Sequence, residues 1–294
     1  MKPAMFEYYR PSNLKEAVQL IDEYGDECKI IAGGQSLIPL LNMRLARPSC
    51  LIDINSLSEL NYIKDIEGIV LIGATTRQRE LEKSNIIKQT APVLIEAIRN
   101  IGHPQTRSRG TVGGSLVHAE PSAELSLVLL ALDAKVTIIG KKGVRKLPLD
   151  KFLISEFTTA LSEREILTEI SFDGNTVPSG FAFEEFAIRQ GDFAIASAVS
   201  LISTVSGGII DYARVVLGGI ASRPIIAESI ENLLRGKNLT KSLIDESCSI
   251  IENIADVGDD LHSSSDYKVN LSKVMFERSL RRAYEMAIDK EVVN

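Results

Sequence analysis

Leu14, Ala17, Val18 and Ile21 recur at three- and four-residue spacing behind Ser12 and Asn13, which predicts a capped helix running up to Gly25. Residues 28–32 and 51–54 are short apolar runs of strand type, and the segment after Gly33-Gly34 predicts a helix or tight turn over 36–46. From Asn61 the pattern becomes a hairpin that turns at Glu67-Gly68 and returns over Ile69–Gly73. Thr75 and Gln78 stand at capping-box spacing and predict a following helix. Pro92–Asn100 and 121–132 read as helices, with a glycine-rich loop over 110–115 between them; 135–139 and 166–172 read as strands, and 141–146 as a basic hairpin tip. Turn residues crowd 173–180 and mark a boundary. Beyond it, strands at 182–188, 194–205 and Ile209–Gly218 precede helices at 225–234, 241–255 and 270–287, an order that suggests an α+β unit. In the last helix Leu271, Val274, Met275, Leu280 and Ala283 form a stripe facing a core or a partner, with Arg281-Arg282 on the solvated side.

Composition narrows the class. The chain has 294 residues, 45% hydrophobic and 24% charged, which suits a globular protein of about two domains. With 33 basic and 39 acidic residues the net charge is −6, and no basic block is dense enough for nucleic acid. The uncharged stretch 194–210 carries Ser197, Ser200, Ser203 and Ser206 and is too polar for a membrane span. No apolar leader opens the chain, so a cytoplasmic location is expected. Cys28, Cys50 and Cys248 fit no zinc or iron–sulfur spacing and read as separate buried thiols in a reducing compartment.

Two segments carry candidate chemistry. Ile30, Ile31 and Ala32 lead into Gly33-Gly34, then Gln35, Ser36 and Leu37. Adjacent glycines let main-chain N–H groups converge on an anion, and a helix beginning near Ser36 adds its positive end; the same glycines also suit a plain strand–turn–helix connection. The second segment, Gly110 with Thr111, Val112, Gly113, Gly114 and Ser115, repeats the pairing of glycines with hydroxyls. Two such segments suggest a diphosphate held from two sides. Neither is a GxGxxG fingerprint or a P-loop, which disfavours Rossmann NAD binding and P-loop ATP hydrolysis. Downstream, Glu120 and Glu124 suit either ribose hydroxyls or the capping of a helix start. His103 and His118 have no partner pair for a metal, and His262 lies in a serine-rich stretch. No HExxH or GxSxG motif is present, so no protein catalytic residue is assigned.

With both segments in view, the chain resembles the FAD-binding medium subunit of molybdenum hydroxylases, the family of carbon monoxide and xanthine dehydrogenases. The resemblance rests on Ala32-Gly33-Gly34-Gln35-Ser36-Leu37, continuing into Pro39-Leu40-Leu41-Asn42-Met43-Arg44, and on Gly102-His103-Pro104-Gln105-Thr106-Arg107-Ser108-Arg109 before Gly110. It implies an α+β fold: a vanillyl-alcohol-oxidase-like FAD-binding domain over 1–176, in subdomains 1–57 and 58–176, and a C-terminal α+β domain over 177–294. It implies that Ile30 to Leu37 and Thr111 to Ser115 wrap the diphosphate and that Ile101 packs beside the cofactor. Glu124 matches an acidic contact, Leu167 an apolar one, and Phe193 an aromatic residue shielding the flavin. It further implies a large molybdenum-cofactor partner and a small [2Fe–2S] partner, assembled as a dimer of heterotrimers, with this chain passing electrons to an external acceptor. The chain departs from the family pattern at Glu120 and Glu124, where aspartate is usual, at Thr106 and Ser108, at Glu185, where lysine is frequent, and at Phe193, which lacks a tyrosine hydroxyl. A free-standing flavin oxidase or reductase of the same fold, and a nucleotide-binding module without redox chemistry, are the alternatives.

Overall fold

Three main sheets follow one another along the chain. The computed structural model describes residues 2–261 and 263–293, which leaves His262 outside the described residues. The first unit holds β1 (Glu7–Tyr9), α1 (Leu14–Tyr24), β2 (Cys28–Ile31), α2 (Leu37–Asn42) and β3 (Cys50–Asp53). Its strands are parallel in the order β1-β3-β2. Asn13 caps α1 by accepting the Glu16 N–H at 2.9 Å, and Gly25 ends it with φ 53°. Ala17 and Ile21 face Ile52 and Ile54, and Ile166 of the next unit closes the same core.

The second unit is β4 (Ile63–Ile66), β5 (Ile69–Gly73), seven helices, two hairpins and a long return strand. The helices are α3 (Gln78–Lys83), α4 (Asn85–Thr90), α5 (Pro92–Asn100), α6 (Pro104–Arg109) and α7 (Val112–His118), followed by the buried α8 (Glu124–Ala131). Then come β6 (Lys135–Gly140), β7 (Gly143–Pro148), α9 (Leu149–Phe152), the small pair β8 (Leu153–Ser155) and β9 (Thr158–Thr159), and β10 (Glu165–Asp173). β10 sits at the centre of an antiparallel sheet ordered β4-β5-β10-β6-β7. Every residue of α8 is buried, because it packs against α5, α7 and α9 and against β12 and β13 of the next sheet.

The third unit is β11 (Gly180–Phe186), β12 (Ala196–Val205), β13 (Ile209–Gly218), β14 (Ile225–Ile226), α10 (Glu228–Leu234), α11 (Lys241–Ile254) and α12 (Ser265–Val293). One face of its β11-β12-β13-β14 sheet, with Phe183, Val199, Leu201 and Val216, joins the core around α8. The other, with Ala182, Ala198, Ile202 and Val215, packs under α12 and its neighbours. β12 is thus buried on both faces. This explains the long uncharged run, since a strand covered twice loses the apolar–polar alternation.

The structure corrects several expectations. Cys28 and Cys50 are not separate thiols: they pair directly across β2 and β3, Cα atoms 4.7 Å apart, and are joined as a disulfide, while Cys248 is free. Sequence spacing does not reveal that strand register. The glycine-rich loop over 110–115 is a cap followed by the first turn of α7. The cap of α3 is at Arg77, whose N–H donates to Glu80 at 2.9 Å, rather than at Thr75. The helix expected from 121 starts at Glu124, and 225–226 is strand rather than helix. Arg282 is not simply solvated. Its guanidinium binds Glu96 of α5 and Glu184 of β11, tying the last helix to the second unit and to its own sheet. The stripe on α12 is mainly core: Met275, Leu280 and Ala283 are buried, whereas Val274 is exposed.

Candidate cofactor site

The two glycine segments meet. β2 delivers Gly33 directly against the end of α6: a Cβ on Gly33 would collide with the Arg109 carbonyl oxygen and lie 2.9 Å from Gly110 Cα. Only a residue without a side chain allows this backbone-to-backbone approach. Gly34 follows with φ 73°, turning the chain into α2. The main-chain N–H groups of residues 33–37 have no hydrogen-bond partner among the described residues, so they remain free to converge on an anion.

A polar bridge holds the junction. Asn55 donates to the Ala32 carbonyl at 2.5 Å and accepts from Arg77 at 2.7 Å, and Arg77 donates to the Arg109 carbonyl at 2.5 Å. The carbonyls flanking both glycine segments are thereby tied through one asparagine and one arginine. Neither residue stood out in the sequence; the turn Asp53-Ile54-Asn55 after an apolar strand, in which Asp53 accepts the Asn55 N–H at 2.8 Å, was the available signal.

The second segment contributes differently from the first. Val112 N–H donates to Thr76 O at 3.0 Å, Gly113 N–H to Ala74 O at 2.9 Å and Gly114 N–H to Thr111 Oγ1 at 3.2 Å. These amides are committed, so the free amides lie on the Gly33 side. The glycines of α7 serve close packing: a Cβ on Gly113 would sit 2.7 Å from Ala74 and 2.9 Å from the Leu167 side chain. Leu167, on β10, is thus placed directly against the second segment.

Three carboxyls gather where α8 meets the third sheet. Glu124 is 5% exposed, and burial, with Glu185 and Glu120 nearby, pushes its pKa up to about 8. Burial likewise raises Glu120 and Glu185 to about 7 each. Glu185 pairs in register with Ser197, which pairs with Gly218, and Pro121 O lies 3.8 Å from where a Gly218 Cβ would be. Glu185 Oε2 and Ser197 Oγ are buried without a hydrogen-bond partner among the described residues. Glu124 and Glu120 are therefore not simple solvated helix caps.

Ile101 lies at the end of α5, half-buried against the α8 core. Arg107 holds that corner by donating to the Ile101 carbonyl at 3.0 Å. The loop after β11 comes down on the same corner: a Cβ on Gly191 would be 2.9 Å from the Gly102 carbonyl. That loop carries Phe193, 62% exposed. The structure thus joins Gly33 with Gly110, Leu167 with Gly113, and the Phe193 loop with the Ile101 corner. His118 stacks on Phe157 with centroids 5.1 Å apart, and burial lowers its pKa. Among the described residues no group of His, Cys, Asp and Glu side chains is arranged to hold a metal, and no helix is long and apolar enough to cross a membrane.

These features define a class: an α+β chain in which two glycine segments meet beside free main-chain amides, with a cluster of buried carboxyls where α8 meets the third sheet. Residues 4–172 match the family described as the FAD binding domain in molybdopterin dehydrogenase, and 181–283 match the CO dehydrogenase flavoprotein C-terminal domain. The chain is 40% identical to the 6-hydroxypseudooxynicotine dehydrogenase complex subunit alpha of Paenarthrobacter nicotinovorans, over 98% of this chain and 97% of that one. It is 33% identical to the carbon monoxide dehydrogenase medium chain of Hydrogenophaga pseudoflava, over 97% and 99%. A solved structure of carbon monoxide dehydrogenase from Hydrogenophaga pseudoflava lacking the Mo-pyranopterin moiety superposes with a TM-score of 0.94 at 34% identity, covering 97% of this chain and 99% of that one. The chain belongs to the family of FAD-binding flavoprotein subunits of molybdenum hydroxylases.

Proposed function

We propose that this chain is the FAD-binding electron-transfer subunit of a multi-subunit molybdenum hydroxylase. Electrons reach it from iron–sulfur clusters on a small partner, supplied by a molybdenum site on a large partner, and leave to an external acceptor. The observation that carries this reading is the Gly33–Gly110 junction with its row of free amides, in a chain that spans nearly the whole length of relatives named as subunits of such complexes. That end-to-end match supports the subunit role over a free-standing flavin enzyme. Three cysteines, two of them paired with each other, cannot ligate two iron–sulfur clusters, so the clusters belong to another chain.

The cradle fits FAD because free amides, a close glycine approach and a buried carboxyl are complementary to a diphosphate and to ribose hydroxyls. When bound, FAD supplies the electron carriage; the protein supplies binding, orientation and electrostatics. In this assignment the N–H groups of Gly33, Gly34, Gln35, Ser36 and Leu37 receive the diphosphate, with Ile30, Ile31 and Ala32 setting their direction. Thr111, Val112, Gly113, Gly114 and Ser115 form the opposing wall. Glu124 accepts from hydroxyls, Leu167 and Ile101 give apolar contact, and Phe193 covers the ring from its loop. We place the domain limits at 57/58 and 176/177, supported by the separate sheets and the two matched stretches.

The test is the visible absorption spectrum and bound nucleotide of the full chain. A yellow protein carrying stoichiometric FAD is expected, and a colourless chain that ignores added FAD overturns the proposal. Co-purification with a molybdenum-containing large chain and a [2Fe–2S] small chain, in a dimer of heterotrimers, is expected of the complex. A cytoplasmic location belongs to the same proposal.

A further inference from the structure

We propose that a cationic groove enclosed by α3, α4, α5 and α6 binds a phosphate-bearing small molecule of nucleotide size. The whole chain is acidic, with net charge −6, yet Arg79, Lys83, Lys88, Arg99 and Arg107 converge on one depression of about 330 Å³. A second depression of about 560 Å³, which also touches Arg77, shares Arg79 and Lys83 with the first. Volumes in this range match small-ligand sites.

The local charge is poorly neutralised by the protein. Glu82 is engaged by Arg107 at 3.3 Å, and Glu80 accepts the Arg77 N–H at 2.9 Å. Arg79, Lys83, Lys88 and Arg99 have no carboxylate partner among the described residues. Arg79 donates only to the Ser108 hydroxyl, at 3.1 Å. Four helices therefore hold like charges around a concavity, an arrangement whose repulsion a polyanion relieves. Guanidinium forks beside lysine ammonium groups favour phosphate oxygens. Ile63 and Ser84 line the second depression, where a less polar ring can rest beside the charged end.

This groove is separate from the glycine cradle but touches the same helix. α6 lines the groove through Pro104, Arg107 and Ser108, and leads at its end into Gly110. Arg107 links the groove to the Ile101 corner, reaching Glu82 on one side and the Ile101 carbonyl on the other. A bound phosphate compound would thus sit one helix away from the cofactor cleft.

Calorimetric titration of the FAD-saturated chain with pyrophosphate, ADP, AMP and adenosine tests the proposal, with released FAD followed by absorbance. Saturable binding of pyrophosphate and ADP is expected, weaker binding of AMP, none of adenosine, and a fall in affinity as salt rises from about 50 to about 300 mM. The combined Arg79→Gln, Lys83→Gln, Arg99→Gln variant should weaken ADP binding at least about tenfold while keeping its FAD content and thermal midpoint. If that variant does not fold, each single substitution should weaken ADP binding about two- to fivefold. No saturable binding, binding unchanged in the variants, or release of FAD by ADP would each overturn the assignment. The last outcome would put the nucleotide in the cofactor cleft. A chain that fails to hold FAD contradicts the proposed function instead, so the two failures are distinguishable.

Discussion

Gly33 and Gly114 respond differently to one added methyl group. At Gly33 the methyl meets backbone that cannot move, so Gly33→Ala should cost at least about 2 kcal/mol in denaturant unfolding and abolish FAD retention. At Gly114 the nearest atom is the Thr111 hydroxyl at 2.7 Å, which can rotate away at the loss of about 1 kcal/mol of capping. Gly114→Ala should stay folded while FAD affinity, read by fluorescence titration, falls at least about tenfold if the cofactor lies on this turn. The buried carboxyls set a pH dependence. Their folded pKa values of about 7 to 8 lie above the ordinary glutamate value, so the cofactor-free chain binds more protons folded than unfolded. Its stability should therefore be greatest near the ordinary glutamate pKa and fall from about pH 4.5 towards about pH 8. Glu124→Gln should flatten that slope and add at least about 1 kcal/mol at pH 8, measured by chemical denaturation across pH. The two glycine segments were legible as candidates from residue type and local spacing, whereas the commitment of the Gly114 amide to Thr111 and the burial of Glu124 were not. Asn55 and Arg77 were not, because their hydrogen bonds join positions far apart in sequence and depend on how the units pack.

Elements with strong periodicity or flanking turn residues could be read directly: α1, α5, α11, the β4–β5 hairpin and the strands β11, β12 and β13. The six-residue helices α4 and α6 escaped because each is too short to show an apolar face. β14 escaped because two residues give no alternation at all. α12 carries a contact that its own sequence could not disclose, since Glu96 and Glu184 come from elements far away along the chain. Arg282→Ala should lower stability by about 1 kcal/mol, less at high salt, as expected for a half-exposed ion-pair network. The bond between β2 and β3 closes a loop spanning 22 positions, and in the oxidised chain its reduction should cost about 3 kcal/mol in urea unfolding.

At the scale of the molecule, resemblance and pattern together gave the α+β class, the order of the units and the meeting of the two glycine segments. They did not give the cationic groove, which exists only where four separate helices pack. The cradle draws on the first unit through Gly33 and on the second through Gly110, with the third resting on the second through α8 and the Phe193 loop. Binding should therefore stabilise the chain as one body. FAD at about a hundredfold excess over its dissociation constant should add about 2.7 kcal/mol, with the units melting in a single calorimetric transition.

The Asn55–Arg77 bridge spans the seam between the first two units through protein hydrogen bonds alone. Cofactor capture therefore requires little reorganisation of that seam, so its ordering entropy is settled during folding rather than at the moment of encounter. Tightness should then appear as a slow off-rate and long residence time. Severing the bridge should quicken FAD escape far more than it slows arrival.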